Sequence, residues 1–219
     1  MQYVHTFFRI LFELLFPESE LEAQVRALSP DEFRRRAAPA RHDAVLSGVS
    51  GSACFWYRDP LVRRALNMLK FGRRTELATP FGEALAEEII GVLSDELPGA
   101  LPPLLVPIPL SGARLRERGF NQSAVLAHAT LAHIPNTLEF QGDALVRTRE
   151  HVRQARMPSR AERLRNMEGV FAISNPDLVR GRLVILLDDI ITTGATVRDA
   201  TRALLSAGAR AVHVVSVAH

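Results

Sequence analysis

The segment Leu183-Val184-Ile185-Leu186-Leu187 runs without a break into Asp188-Asp189-Ile190-Ile191-Thr192-Thr193-Gly194-Ala195-Thr196. Five consecutive aliphatic residues without polar alternation predict a strand covered on both faces, and such strands belong to parallel sheets flanked by helices. Two adjacent carboxylates at a strand end resist ionising together unless hydroxyl donors, Arg side chains or a divalent cation share their charge. A ribose diol and magnesium supply both. Beyond the acids, Thr192, Thr193 and Thr196 place hydroxyl groups around Gly194, whose missing side chain lets backbone N–H groups close on an anion where the next helix starts. That helix follows from Val197, Ala200, Ala203, Leu204 and Ala207 on a helical period with Gly208 as its stop, and a last strand from Ala211 to Val217 comes after it. Asp and Thr also serve as ordinary helix caps, but two acids, three Thr and a Gly between 188 and 196 exceed what a cap requires. The turn lacks the Gly-Lys-Ser/Thr ending of a Walker A loop and the spacing of a dinucleotide turn. Only one strand fits after it, which excludes a receiver domain. The pattern predicts a phosphorylated sugar as ligand.

The chain has 219 residues and 47% hydrophobic content, enough for one α/β domain with an extension or for two small domains. Its single cysteine, Cys54, excludes internal disulfides and a cysteine-based zinc site, and a cytoplasmic setting is the expectation. Val4 to Phe16 is apolar, but Arg9 and Glu13 interrupt it, it is too short to span a bilayer, and no small-residue cleavage site follows. It predicts a helix packed on the chain's own body, with a partner groove as the alternative. Lys70 is the sole lysine among 27 basic residues, and the formal net charge is only +3. Arg suits bidentate phosphate recognition, while a lone Lys marks a position where a compact ammonium fits and a guanidinium does not. The Arg excess by itself does not imply nucleic-acid binding.

Along the chain, Ser29-Pro30-Asp31-Glu32 predicts a capped helix through Arg36, followed by a linker from Ala37 to Arg41. Ala44 to Tyr57 predicts an antiparallel strand pair or a strand and loop. Asp59-Pro60 opens a helix ending near Lys70, and another runs from about Pro80 to Leu93. Leu104 to Pro109 is the second buried strand. After it, Leu110-Ser111-Gly112 and the basic residues Arg114, Arg116 and Arg118 predict either a pyrophosphate cradle or a solvated turn leading into a helix from Asn121 to Leu131. The polar stretch from His151 to Asn166 predicts a loop near the active face or plain solvated surface. His128, His133 and His213 lack ligand spacing.

The strand, acidic pair and Thr/Gly loop of Leu183 to Thr196 resemble the signature of type I phosphoribosyltransferases. More narrowly the chain resembles the ComF family of competence-related proteins, through Leu69-Lys70-Phe71-Gly72, Pro107-Ile108-Pro109-Leu110-Ser111, Arg116-Glu117-Arg118-Gly119-Phe120-Asn121-Gln122, Gln154, Arg163 with Asn166, and Asp188 to Thr196. The likeness spans Tyr57 to Ala218. Members of that family often carry a four-cysteine zinc ribbon after a Leu-Phe-Pro segment; here Leu15-Phe16-Pro17 leads into Glu18, Ser19 and Glu20, and no zinc is expected. Leu110 stands where related amidophosphoribosyltransferases have an acid, removing one magnesium contact.

The resemblance implies a three-layer α/β fold with a mainly parallel central sheet, a small hood and an N-terminal helical extension. The extension is expected over residues 1–43 and the transferase-like domain over residues 44–219, with the hood built from Ala44 to Tyr57 and the polar loop. Phosphoribosyl pyrophosphate (PRPP) is the implied ligand, with magnesium. Its 5-phosphate would sit on Thr192, Thr193, Gly194, Ala195 and Thr196, and its ribose hydroxyls on the catalytic pair Asp188 and Asp189. Its pyrophosphate would lie against Leu110, Ser111, Gly112, Arg114 and Arg118, with Lys70, Asn121 and Gln154 as accessory residues. Thr192 stands where purine-salvage relatives place an acidic base, which points to an amine acceptor or to a PRPP-binding protein without efficient transfer. Two other readings stay open: a non-catalytic competence or DNA-uptake factor contacting single-stranded DNA or DNA-processing proteins, and a retired transferase that binds RNA. A homo-oligomer is compatible with each.

Overall fold

The computed structural model describes residues 20–40, 49–72, 74–96, 101–148 and 169–219. The apolar stretch from Val4 to Phe16 and the polar stretch from His151 to Asn166, including Gln154 and Arg163, lie outside the described residues. The helices are α1 (Glu20–Ala27), α2 (Pro30–Arg36), α3 (Pro60–Phe71), α4 (Ala78–Asp95), α5 (Gly112–Arg118), α6 (Gln122–His133), α7 (Pro176–Val179) and α8 (Ala195–Ser206). The strands are β1 (Gly51–Phe55), β2 (Leu104–Pro107), β3 (Glu139–Phe140), β4 (Leu145–Arg147), β5 (Phe171–Ile173), β6 (Leu183–Ile190) and β7 (Ala211–Ala218).

The unbroken aliphatic run of β6 is explained by burial on two sides. Leu183, Ile185 and Leu187 pack into one core with Leu66, Leu69, Phe81, Leu85 and Leu126 of α3, α4 and α6. Val184 and Leu186 point the other way, into a second core with Val197, Ala200 and Leu204 of α8. Alternate residues of one strand thus feed two cores, which is the three-layer arrangement expected of a parallel sheet. The sheet order is β1-β7-β6-β2-β3, and every pairing in it is parallel. The chain moves outward from β2 to the edge strand β3, then returns to the far side of β2 as β6 and continues to β7. The strand order therefore reverses between β2 and β6, and in open α/β sheets the crevice at that reversal, outside the carboxyl ends of the strands, receives the ligand.

Local chemistry sets the helix starts. Ser29 and Glu32 form a reciprocal capping box at α2. Asp59 caps α3 through Leu61 N at 2.7 Å, while its second oxygen accepts Ala38 N at 2.8 Å and ties the preceding segment down. Phe33 of α2 meets Phe81 edge-on at 5.2 Å and Phe55 at 6.2 Å, so α2 contributes to the main core.

Two expectations are corrected and one is narrowed. Of the antiparallel pair or strand and loop expected over Ala44 to Tyr57, residues 44–48 lie outside the described residues, and Gly51–Phe55 is a strand, a parallel edge strand on β7 with Gly51 opposite Val214 and Phe55 opposite Ala218. Among the described residues β4 and β5 form an antiparallel ribbon, Val146 opposite Ala172, on either side of the polar stretch in sequence. The acidic pair does not follow β6 but belongs to it, since Asp188 is opposite Ser216 and Ile190 opposite Ala218. The Arg-rich segment after Ser111 is the helix α5, capped by the Ser111 hydroxyl, which accepts Arg114 N at 3.3 Å.

Candidate functional site

The crevice between the ends of β2 and β6 opens into a polar cleft of about 320 Å³. Its walls bring together Lys70 from α3, Ile108, Pro109 and Leu110 after β2, Arg114 from α5 and Gln122 from α6, with Arg147 from β4 and Tyr57 after β1. Asp188, Asp189 and Ile190 of β6 and Thr192 and Thr196 of the following turn complete it.

Asp188 accepts the Ser123 hydroxyl at 3.3 Å and the N–H of Asp189 at 2.9 Å. Burial first, then the neighbouring Asp189 charge, push its carboxyl up to about 7, against the partial relief of those hydrogen bonds and of Lys70. Asp189 is buried and pairs with the ammonium of Lys70, Nζ to Oδ2 3.0 Å. The two acids are therefore handled differently: one by hydrogen bonds, the other by a full counter-charge.

After Ile191 the chain turns through Thr192 and Thr193, both exposed, into Gly194 at φ 70°, a left-handed conformation that favours Gly. Gly194 caps α8 without a side-chain hydrogen bond of its own, and a helix start of this kind is suited to an anion. Thr192 and Thr196 line the cleft, and Thr193, Gly194 and Ala195 form the turn between them. On the facing wall, Leu110 and Arg114 line the cleft, while Ser111 and Gly112 start α5 beside it. Arg118, at the far end of α5, lies over the ring of Phe71 at 5.0 Å, and burial lowers its proton affinity. Asn121 caps α6 through Ser123 N and donates from Nδ2 to Ile108 O at 3.0 Å, binding the loop after β2 to α6.

Arg147 was not among the residues expected here. Its Nε donates to Pro109 O at 3.1 Å and its guanidinium lies 4.9 Å over the Phe171 ring. Burial, then the nearby Arg114 charge, lower its proton affinity. Arg114 and Arg147 thus bring two guanidinium groups of like charge to one cleft. Tyr57 and Gln122 also line the cleft, with Gln122 only 3% exposed and its amide oxygen without a hydrogen-bond partner. The Arg-Gly-Phe-Asn-Gln run was the one sequence signal that pointed near Gln122. Nothing local marked Arg147, on a three-residue strand, or Tyr57.

Among the described residues no cluster of three or more His, Cys, Asp or Glu side chains forms a metal cage. The two adjacent carboxylates of Asp188 and Asp189 in the cleft are a donor set of the kind magnesium takes, since it uses one or two protein carboxylates and completes its shell with phosphate oxygens and water. No helix among the described residues is long and apolar enough to cross a membrane.

The sequence profile described as the phosphoribosyl transferase domain matches residues 81–219. The DNA utilization protein YhgH of Escherichia coli is 33% identical over 156 residues, covering 71% of this chain and 66% of that protein. The competence protein ComFC of Bacillus subtilis is 32% identical over 156 residues, covering 70% of this chain and 57% of that protein. The chain thus spans about two thirds or less of the length of these curated relatives. Among solved structures, a glutamine phosphoribosylpyrophosphate amidotransferase from B. subtilis superimposes with a TM-score of 0.37 at 22% identity, over 63% of this chain and 25% of that chain.

Proposed function

The chain belongs to the phosphoribosyl transferase domain family and, within it, to the ComF group, and from that premise we propose that it binds PRPP together with magnesium and transfers the phosphoribosyl group to an amine acceptor. The observation that carries this reading is the meeting, at the β2/β6 reversal, of an acidic pair, a helix start without a side-chain cap and two mutually repelling guanidinium groups in one cleft.

In this reading the 5-phosphate occupies the start of α8, held by backbone N–H groups and the hydroxyls of Thr192, Thr193 and Thr196. Asp188 and Asp189 accept the ribose hydroxyls, and Arg114, Arg147 and the N–H groups at Ser111 and Gly112 hold the diphosphate. Asp188 and Asp189 are the residues that would hold magnesium, which supplies charge neutralisation on the leaving group. Transfer breaks the bond from ribose C1 to the diphosphate oxygen and forms one from C1 to the acceptor nitrogen; diphosphate leaves with the electron pair and the nitrogen loses a proton to solvent. Carboxylates beside the ribose stabilise the positive charge that builds on the ring, and the guanidinium groups stabilise the departing anion. No acidic side chain stands in the phosphate turn to act as base, consistent with an amine that needs little help.

The test is thermal unfolding with and without PRPP plus magnesium, with the Asp188→Asn/Asp189→Asn double variant as control. A shift confined to the wild type supports the reading, and none in either protein overturns it. A second reading, a DNA-contacting competence factor, draws on the relatives' names and on Phe71, 63% exposed and capped by Arg118 at 5.0 Å, an aromatic and a cation of the kind that stacks on single-stranded bases. Steeply salt-dependent binding of an oligonucleotide, lost in Phe71→Ala, is its mark.

A further inference from the structure

The sole lysine of the chain is buried against one acid of the cleft: the side chains of Lys70 and Asp189 are 12% and 8% exposed, with Nζ 3.0 Å from Oδ2. A buried carboxylate beside a second one needs a resident cation. In the PRPP reading a ribose hydroxyl comes to that same buried carboxylate and competes with the ammonium for it. Gln122 adds an independent sign of an incoming ligand. Its side chain lines the same cleft, is 97% buried by the 3% exposure of the residue, and keeps an amide oxygen without a donor. Such an orphan acceptor calls for a hydroxyl or N–H that arrives from outside.

Resting on the PRPP reading, we propose that Lys70 is a two-position counter-ion: it neutralises Asp189 before ligand binds, and moves its ammonium onto the diphosphate when ribose hydroxyls take over Asp189 and Gln122. The residue type fits the task. An ammonium is a compact charge with three donors on a flexible stem, able to leave one oxygen for another, whereas a guanidinium fork would lock onto the carboxylate. This accounts for Lys at one position in a chain whose other 26 basic residues are Arg. The ligand recognised is one that carries hydroxyl donors and a diphosphate on the same sugar; either half alone moves the lysine in a different direction.

That difference is the experiment. Because Lys70 is the only lysine, reductive methylation by formaldehyde and a borane, read by mass spectrometry on its peptide, reports this amine alone. Ribose 5-phosphate, which displaces the ammonium without offering it a diphosphate, should speed methylation; magnesium pyrophosphate and magnesium PRPP should slow it below the rate of the free protein. Asp189→Asn should speed it without ligand. Lys70→Arg, which keeps the positive charge and whose folding is checked by its thermal midpoint without ligand, should weaken PRPP binding by about tenfold, as the fork does not let go. Equal methylation rates with all three ligands, in protein that PRPP still stabilises against heat, would overturn the moving lysine and leave the PRPP reading standing. Failure of PRPP to stabilise the wild type would overturn both.

Discussion

The carboxylate of Asp199, one turn inside α8, accepts the backbone N–H of Gly169 at 2.8 Å, and its other oxygen accepts Val170 N at 2.8 Å and Phe171 N at 3.1 Å. Asp199 is 3% exposed, and the helix whose first turn faces the cleft is thereby fastened to the start of β5. On the other strand of the ribbon, Arg147 reaches the cleft. Asp199→Asn turns an acceptor oxygen into an NH2 aimed at N–H donors. The expected loss is about 2–4 kcal/mol, the range for breaking a buried charge-assisted network. Urea unfolding measures it; a midpoint unchanged from wild type would show that the ribbon does not depend on this carboxylate.

The acidic pair supplies a ligand prediction. At about a hundred times its dissociation constant, PRPP with magnesium should add roughly 2.7 kcal/mol to the wild type, and nothing to Asp188→Asn/Asp189→Asn. Retention of the shift in that variant would move the PRPP site elsewhere.

Asp188 also predicts a pH dependence. Its folded carboxyl is raised, to about 7, so between the ordinary carboxylate range and that value the native state holds a proton that the unfolded chain has lost. The unfolded state binds fewer protons there, and the contribution of this group to stability falls as pH rises through the window. Asp188→Asn removes that slope. The difference between wild type and variant, followed by urea unfolding from pH 4 to pH 8, should therefore decline with pH, and a flat difference would show that burial does not hold the proton.

Gly82 of α4 sits where α4 crosses α6 at close range. A Cβ placed on it would lie 2.6 Å from the carbonyl carbon of Ala129 and 2.8 Å from its oxygen. Helix propensity favours Ala over Gly by about 1 kcal/mol, but the obstacle is backbone and cannot swing aside. Overpacking of this kind costs about 1–3 kcal/mol or more. Gly82→Ala should come out net destabilised by thermal unfolding; a stabilised variant would mean that the two helices separate freely.

Phe33 is 2% exposed in the ring cluster with Phe55 and Phe81. Phe33→Ala should cost about 3–5 kcal/mol, measured on the global unfolding transition. A loss of α2 helicity without that effect would show α2 to be a detachable appendage.

Much of this molecule was legible because its signals are local. The aliphatic runs at 104–106 and 183–187, the capping box at Ser29, the helix starts at Asp59 and Asn121, and the Gly208 stop each depend on neighbours within a few residues, and the structure shows an element at each. The Thr/Gly turn was readable for the same reason: a left-handed Gly before a helix is a local event. The pairing of Gly51–Phe55 stayed open in the sequence because a short apolar run carries no information about which strand it will pair with. Its direction was settled by β7, which begins only at Ala211, offering a free parallel edge. Asp199 gave no signal either, since an acid in the middle of an amphipathic helix looks solvated until another segment brings its N–H groups to it.

The amino-acid sequence alone determined the layers and the Thr/Gly turn, for strand burial and turn conformation are written in residues that touch along the chain. Only the tertiary structure decided that Gln122, Arg147 and Tyr57 share a cleft with Asp188, Asp189 and Lys70. They come from separate elements, and a charge on one acquires its meaning only when packing removes the water between it and the others.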